Sequence, residues 1–263
     1  MASNPDIHSP SHIHPQLTVA VSLKMYFSLL QTTNYIQSCT ALAPLALSRH
    51  IDLIIIPDFL SLSSASTTIQ LYAPTIRIGA QDCFWEDRGA YTGEVSPASL
   101  HELGCSVVEL GHAERRRLFG EGDAMVARKA QAAERNGLMP LVCVGERQRG
   151  SLEGALGECR AQVESVLAVT RGEVIFAYEP VWAIGMEVPA DPEYVVDVAK
   201  GLRALCGERK VRFLYGGSAG PGTFGKMKEE VDGLFLGRFA HDAQALGEII
   251  GEVGSGFLGG SDQ

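Results

Sequence analysis

The stretch Val174-Ile-Phe-Ala-Tyr-Glu-Pro-Val-Trp-Ala-Ile-Gly185 joins an apolar run, a single carboxylate and a loop of small residues. Val174 to Tyr178 is typical of a buried strand, and Pro180 ends it because proline has no N–H to donate to a neighbouring strand. An enzyme that removes a proton from carbon needs a carboxylate in such a place, followed by a loop that can close. We therefore interpret Glu179 as a catalytic base; the alternative is a solvated glutamate at a strand end.

Short apolar runs of this kind occur eight times, and amphipathic stretches separate most of them. The predicted strands are Leu17–Ser22, Leu53–Ile56, Arg77–Ala80, Val107–Leu110, Leu141–Val144, Val174–Tyr178, Arg212–Tyr215 and Gly233–Leu236. This alternation predicts an α/β domain with a parallel sheet, and eight units predict a closed (β/α)8 barrel over residues 17–252. The active site of such a barrel lies at the C-terminal ends of its strands.

Helix boundaries are marked by a few short signals. Ser96-Pro97 and Asp191-Pro192 each place a capping side chain before a proline, which predicts a helix start. Asn136-Gly137 predicts a helix end, because glycine readily adopts the left-handed conformation found there.

Two polar segments flank the predicted barrel. Residues 1–16 contain three prolines, residues 253–263 are rich in glycine and serine, and we expect both to be flexible tails. His8, His12 and His14 have no cysteine or carboxylate cluster beside them, so we interpret them as solvated side chains and not as metal ligands.

Composition narrows the function classes. The chain has 263 residues and a formal charge of −9, which argues against nucleic acid or an anionic membrane as a partner. Its six cysteines show no metal-binding or redox spacing, which fits buried thiols in a reducing compartment, and we expect a cytoplasmic protein. The sequence has no apolar run of membrane-spanning length and no signal-peptide pattern.

Further motifs follow the other predicted strands. They are Val21-Ser-Leu-Lys-Met25, Gly89-Ala-Tyr-Thr-Gly-Glu94, Gly111-His-Ala-Glu-Arg-Arg116, Cys143-Val-Gly-Glu146, Tyr215-Gly-Gly-Ser218 and Asp232-Gly-Leu-Phe-Leu-Gly237. In order and spacing, these motifs and the Glu179 segment resemble the triosephosphate isomerase family from about Leu17 to about Glu252.

The resemblance implies the roles of the catalytic residues. Glu179 removes a proton next to the substrate carbonyl and returns it to the neighbouring carbon through an enediolate. His112, with Glu114 beside it, donates to the carbonyl oxygen as a neutral ring, and Lys24 supplies positive charge. No metal or organic cofactor is expected, because fixed donors stabilise the developing charge.

The resemblance also implies a phosphate site and a mobile lid. Backbone N–H groups of Gly185, Gly217, Ser218 and Gly237 are expected to hold the phosphate. The lid comprises Trp182, Ala183, Ile184, Met186 and Glu187, and Tyr215 is expected to latch it by bonding the backbone of Ala190. Its closure protects the enediolate from losing phosphate.

Four positions differ from the family pattern. Ser22 replaces an asparagine, Ala113 replaces a serine, Met186-Glu187 replaces Thr-Gly, and Arg238 replaces a glycine. All four lie around the expected substrate pocket, whereas the proton-transfer residues are intact.

Three functions remain open at this point. The first interpretation is a triosephosphate isomerase of glycolysis and gluconeogenesis, which interconverts dihydroxyacetone phosphate and glyceraldehyde 3-phosphate. The second is an isomerase of a four-carbon ketose phosphate such as erythrulose phosphate, because Ser22 enlarges the pocket and Arg238 adds a cation. The third is a non-catalytic barrel, against which the intact Glu179, His112 and Lys24 argue.

A homodimer is also expected from the resemblance. The loop that contains Tyr91, Thr92 and Glu94 matches one that inserts into the neighbouring subunit in the family. Thr92 is then expected to contact Lys24 of the second chain.

Overall fold

The computed structural model describes residues 17–186 and 189–258 of the chain. Within that part, eight strands form a closed sheet in the order β1 to β8. The strands are β1 (Leu17–Ser22), β2 (Ile51–Ile56), β3 (Arg77–Ala80), β4 (Val107–Leu110), β5 (Met139–Val144), β6 (Val174–Tyr178), β7 (Val211–Tyr215) and β8 (Gly233–Leu236).

Helices connect the strands. They are α1 (Leu29–Thr40), α2 (Ala43–Ser48), α3 (Leu62–Tyr72), α4 (Pro97–Glu102), α5 (Ala113–Phe119), α6 (Asp123–Arg135), α7 (Leu152–Leu167), α8 (Pro192–Cys206) and α9 (Ala243–Leu258). Three short 3₁₀ turns cover Val181–Ala183, Phe224–Lys226 and Arg238–His241. None of these helices is both long and apolar enough to cross a membrane.

Every strand pair in the barrel is parallel. β1 pairs with β2 from Leu17↔Ile51 to Ser22↔Ile56, and the barrel closes where β1 pairs with β8 from Thr18↔Gly233 to Val21↔Leu236. The predicted (β/α)8 barrel is therefore confirmed.

The core has two parts because successive strand residues point to opposite faces of the sheet. One part lies between the strands and the surrounding helices, and the other fills the barrel interior. The interior cluster consists of Ala20, Ile54, Ile56, Val107, Leu141, Cys143, Ile175, Ala177, Leu214 and Phe235. Residues at the C-terminal ends of the strands on this inner face therefore point into the site described below.

A buried ion cluster closes the N-terminal end of the barrel. The Asp52 carboxylate accepts hydrogen bonds from Arg77 at 3.1 Å and from Arg212 at 2.6 Å. The predicted start of β2, Leu53, is wrong, because these arginines compensate the charge of Asp52 and let the strand begin at Ile51. Two other strands also begin earlier than predicted, β5 at Met139 and β7 at Val211.

The C-terminal segment differs from the prediction as well. The expected flexible tail begins at residue 253, but α9 continues to Leu258 and Val253 is fully buried in the core. Apolar residues one helical turn apart, such as Ile249 and Val253, hold this helix despite its glycines. Residues 259–263 and the predicted tail over residues 1–16 lie outside the described part of the chain.

The predicted helix signals are confirmed. The Asp191 side chain accepts from the backbone of Glu193 and Tyr194, with Pro192 in the first turn of α8. Ser96 caps α4 in the same way. Gly137 follows α6 with a left-handed φ of 74°.

Candidate active site

Glu179 lies immediately after β6, at the mouth of the barrel. Its backbone N–H donates to the carbonyl of Val144 at 2.8 Å, which fixes the residue against the end of β5. The side chain is buried, and its Oε2 is 3.6 Å from Nε2 of His112. Neither atom has a hydrogen-bond partner among the residues that the structure describes. Both groups are thus directed to a common space with their bonding capacity free.

His112 caps the N-terminus of α5. Its Nδ1 accepts a hydrogen bond from the backbone N–H of Glu114 at 3.2 Å. Because an accepting nitrogen carries no proton, the neutral ring has its hydrogen on Nε2, the atom that faces Glu179. His112 is therefore arranged as a hydrogen-bond donor into the site.

Lys24 follows β1 and reaches the same space. Its Nζ donates to the Glu114 carboxylate at 2.8 Å. Burial lowers the pKa of Lys24, but the hydrogen bond to Glu114 and the charges of Glu179, Glu114 and Glu109 outweigh burial and raise the pKa above its usual value. The φ of Lys24 is 50°, a left-handed conformation that is rare for a residue with a side chain. The lysine is thus a fixed positive charge.

These groups line a cavity of about 690 Å³. Ser22, Ser218, Gly237 and Arg238 border the same cavity, together with Gly185 from the lid. Ser218 has a left-handed φ of 58°, and its hydroxyl donates to the carbonyl of Ala183 at 2.9 Å. This contact joins the loop after β7 to the lid. Gly217 of that loop lies beside it, and its carbonyl accepts a hydrogen bond from Tyr215.

The lid is held at both ends. The Ala190 N–H donates to the Tyr215 hydroxyl at 3.0 Å, so the expected latch contact is present. At the other end, Trp182 Nε1 donates to Oε1 of Glu146 at 2.7 Å. Ile184 and Met186 border the cavity, whereas Glu187 lies outside the described residues.

Sequence reasoning assigned no role to Glu146. This buried carboxylate, just after β5, accepts hydrogen bonds from three aromatic side chains: Tyr178, Trp182 and Tyr194. Its position in Cys143-Val-Gly-Glu146, directly after a buried strand, is the signal that could have identified it. Glu146 connects β5, the lid and α8.

A second carboxylate, Glu109 on β4, was also missed. The Ser22 hydroxyl donates to its Oε2 at 2.8 Å, and both side chains are buried. Its signal is a charged residue inside the apolar run Val107–Leu110, three residues before His112.

Two other positions that differ from the family pattern, Ala113 and Arg238, also lie at the cavity. Ala113 borders the cavity as the first residue of α5. The Arg238 guanidinium approaches the lid, since a Cβ placed on Gly185 would lie 3.9 Å from its Nη2.

The loop expected at a dimer interface lies apart from the cavity. Tyr91 packs against Phe84, with ring centroids 4.6 Å apart, and Thr92 and Glu94 are exposed. None of the three lines the cavity in the described chain. The contact of Thr92 with Lys24 of a second chain stays a prediction.

The fold and the site together define a class of protein: a parallel (β/α)8 barrel whose mouth holds a carboxylate, an imidazole and a lysine. A family model described as triosephosphate isomerase matches residues 17–253. The chain belongs to the triosephosphate isomerase family, a family of isomerases.

Individual relatives carry two different names. The chain is 46% identical over 251 residues to the L-erythrulose-1-phosphate isomerase of Pectobacterium atrosepticum, covering 90% of this chain and 96% of the relative. It is 36% identical over 250 residues to the protein of the same name from Mesorhizobium japonicum, with coverage of 89% and 96%. It is 37% identical over 245 residues to the triosephosphate isomerase of Aquifex aeolicus, with coverage of 88% and 97%.

Proposed function

We propose that the chain isomerises a four-carbon ketose phosphate, L-erythrulose 1-phosphate, by proton transfer through an enediolate. The arrangement of Glu179, His112 and Lys24 around one cavity supports the reaction type. The choice of substrate is supported by Ser22 in the cavity wall and by the names of the relatives at 46% and 36% identity. This proposal revises the first interpretation from sequence, a triose substrate.

The chemistry of this substrate fits the same catalytic groups. L-erythrulose 1-phosphate has its carbonyl at C2, and it equals dihydroxyacetone phosphate with a hydroxymethyl group added to the carbon that loses a proton. Glu179 takes the proton from C3, which gives an enediolate across C2 and C3. The carboxylic acid then returns the proton to C2, and the product is a ketose with its carbonyl at C3.

His112 and Lys24 stabilise the negative charge that develops on the enediolate oxygens. The Nε2–H of His112 donates to O2 as negative charge develops there, and a proton passes from O3 to O2 as the carbonyl moves. The ammonium group of Lys24 lowers the energy of the negative enediolate and of the phosphate. Glu114 holds that ammonium group in place.

The phosphate is held mainly by backbone N–H groups. Gly217, Ser218 and Gly237 lie at turns beyond β7 and β8, where backbone N–H groups favour an anion, and Gly185 adds a donor from the closed lid. The Ser218 N–H donates to the Gly216 carbonyl at 3.1 Å and would have to turn to the phosphate when the substrate binds. The latch between Tyr215 and Ala190 supports a closed lid. A closed lid keeps water from the enediolate, which otherwise eliminates phosphate.

The pocket wall supports the larger substrate. Serine is shorter than the asparagine of the family pattern, so Ser22 leaves room next to the reacting carbons. Arg238 adds a cation close to Gly185 that can hold a hydroxyl group or the phosphate. Both changes fit a substrate with one more hydroxymethyl group.

A triosephosphate isomerase of glycolysis is the second candidate. The description of the matching family model and the Aquifex aeolicus relative support it. The six buried free cysteines fit a reducing compartment such as the cytoplasm for either substrate.

We also propose a homodimer. Apolar side chains are exposed on the segments that follow β1 and β2, notably Met25, Leu30 and Leu60 at 93%, 70% and 84%. Exposed apolar surface of this kind marks an interaction site, and a second copy of the chain with its Thr92 loop would cover it.

Steady-state kinetics on L-erythrulose 1-phosphate and dihydroxyacetone phosphate separates the two candidates. We expect a higher kcat/KM on the four-carbon substrate, and Glu179→Gln, purified in parallel, should lose both activities, which excludes a contaminating isomerase. Replacing Ser22→Asn together with Arg238→Gly should shift the preference toward the triose. A wild type that prefers the triose, and a double variant that is merely slower, would establish the second candidate instead.

A further inference from the structure

Glu109 is a buried carboxyl group at the base of the proposed site. It lies on β4 two residues after Val107, so both side chains face the barrel interior. Its exposed fraction is 3%, and it does not line the cavity. The proton-transfer steps above make no use of it.

Glu109 has one specific polar contact in the described chain. The Ser22 hydroxyl supplies the hydrogen bond to its carboxylate, at 2.8 Å. Ser22 itself borders the cavity, so it lies between Glu109 and the substrate space. A carboxyl group that served packing alone would be a costly choice here, because an apolar side chain fills an interior without desolvating a charge.

Other titratable groups face Glu109 from the surrounding elements. Burial first, and then the charge of Glu179, raise the pKa of the Glu109 carboxyl group to about 7, against the opposing effects of His112, the Ser22 hydrogen bond and Lys24. Cys143 on β5 is also near, and burial raises the pKa of its thiol, which stays neutral. As the pH rises above about 7, the carboxyl group ionises, and Glu109 is then a charged acceptor for the Ser22 hydrogen.

We propose that Glu109 is a positioning residue that acts through Ser22 and makes the serine oxygen a hydrogen-bond acceptor for a hydroxyl group of the substrate. This inference rests on the proposed four-carbon substrate. It adds the direction of the hydrogen bond that selects this substrate: the substrate hydroxyl donates and the Ser22 oxygen accepts.

The direction of this hydrogen bond follows from the number of donors and acceptors that the Ser22 hydroxyl has. A serine hydroxyl has one hydrogen and two lone pairs, and the hydrogen is committed to Glu109. A hydrogen bond to a carboxylate is stronger than a neutral one, so the substrate does not easily take that hydrogen. Ser22 consequently presents lone pairs to the cavity.

A serine that can only accept a hydrogen bond distinguishes two kinds of substrate. An amide side chain at position 22 offers N–H donors to a carbonyl or enediolate oxygen. A serine locked as an acceptor cannot do so, but it can accept from the extra hydroxyl that a four-carbon ketose carries. The Ser22–Glu109 pair therefore lacks the donor that asparagine offers to the oxygens of a triose. In its place it provides an acceptor that recognises the added hydroxymethyl group.

A double-mutant cycle tests the inference. The variants are Ser22→Ala, Glu109→Gln, which keeps the shape of the side chain, and the combination of both. The measured quantity is the preference, defined as kcat/KM for L-erythrulose 1-phosphate divided by kcat/KM for dihydroxyacetone phosphate. Glu109→Gln should lower the preference about tenfold, since an amide does not hold the serine hydrogen as a carboxylate does.

The two residues should act as one unit. Ser22→Ala alone should lower the preference to a similar extent, and adding Glu109→Gln to it should change the preference less than about twofold, because the mediator is already gone. Equal losses on both substrates, or effects that multiply independently, would overturn the positioning role. A wild type without activity on the four-carbon substrate would refute the proposed function itself, whereas an active wild type without coupling refutes the inference alone.

Discussion

Individual side chains carry the chemistry, and Glu179 is the one whose removal is most informative. Glu179→Gln keeps the shape and burial of the side chain but cannot accept a proton. We expect kcat to fall about 10²–10⁴-fold or more, while binding of a phosphate substrate changes little. Steady-state kinetics together with calorimetric titration of the substrate checks this, and near-normal turnover would remove Glu179 from the mechanism.

Glu109 makes a prediction about stability that is separate from turnover. Its folded pKa, about 7, lies above the ordinary value of 4.5, so the folded protein binds the proton more tightly than the unfolded chain. The contribution of protonated Glu109 to the free energy of unfolding is fully present below about pH 4.5 and is lost as the pH rises through about 7. Since glutamine does not titrate, the gain in Tm from Glu109→Gln should be several degrees larger at pH 8 than at pH 5.

Thermal unfolding of wild type and variant at the two pH values measures that difference, in which the titration of all other groups largely cancels. A gain in Tm that is the same at pH 5 and pH 8 would show that the Glu109 pKa is not raised. Ser22→Ala provides the comparison, because it removes the hydrogen bond and keeps the titrating group.

Among the secondary-structure elements, the lid between β6 and α8 has a testable latch. Tyr215→Phe removes the hydroxyl that accepts from the Ala190 N–H and donates to the Gly217 carbonyl. The loss of these two hydrogen bonds, each worth about 0.5–1.5 kcal/mol, should lower kcat/KM at least about two- to tenfold and increase the release of inorganic phosphate per turnover. Tyr72→Phe on the exposed face of α3 is the matched control and should change neither quantity; equal behaviour of the two variants would exclude a latch.

The sequence predicted the elements well where local patterns are unambiguous. Proline and capping side chains defined the starts of α4 and α8, and Pro180 defined the end of β6. The misplaced start of β2 has a tertiary cause, since Arg77 and Arg212, which compensate Asp52, come from two other strands, β3 and β7. Pattern reasoning along one strand cannot anticipate such partners.

The same limit applies to the site. Glu179, His112 and Lys24 follow their strands and could be placed from motifs, whereas Glu109 lies within a strand. A charged residue that alternates with apolar ones normally indicates a solvent-facing side of a sheet. In a closed barrel that side of the sheet is the interior. The role of Glu109 can therefore be inferred only from the folded barrel, which places Ser22 beside it.

For the molecule as a whole, the exposed apolar surface beside the site predicts a homodimer. Leu60→Glu introduces a charge into that surface and should shift sedimentation at micromolar concentration from dimer to monomer, with a loss of activity if Thr92 supports Lys24 across the interface. Leu47→Glu on α2, also exposed, is the control and should leave the dimer intact. A wild-type monomer that is fully active at this concentration would refute the assembly.

In the proposed reaction, the barrel moves a proton between C3 and C2 of a four-carbon ketose phosphate. Proton NMR of L-erythrulose 1-phosphate with the enzyme in D2O measures this directly, because the proton that Glu179 removes can exchange with solvent before it is returned. We predict that wild type forms the ketose with its carbonyl at C3, with deuterium at C2 of this product and at C3 of the recovered substrate, and that Glu179→Gln does neither. Rapid exchange and turnover of dihydroxyacetone phosphate, with no deuterium entering the four-carbon compound, would contradict the account.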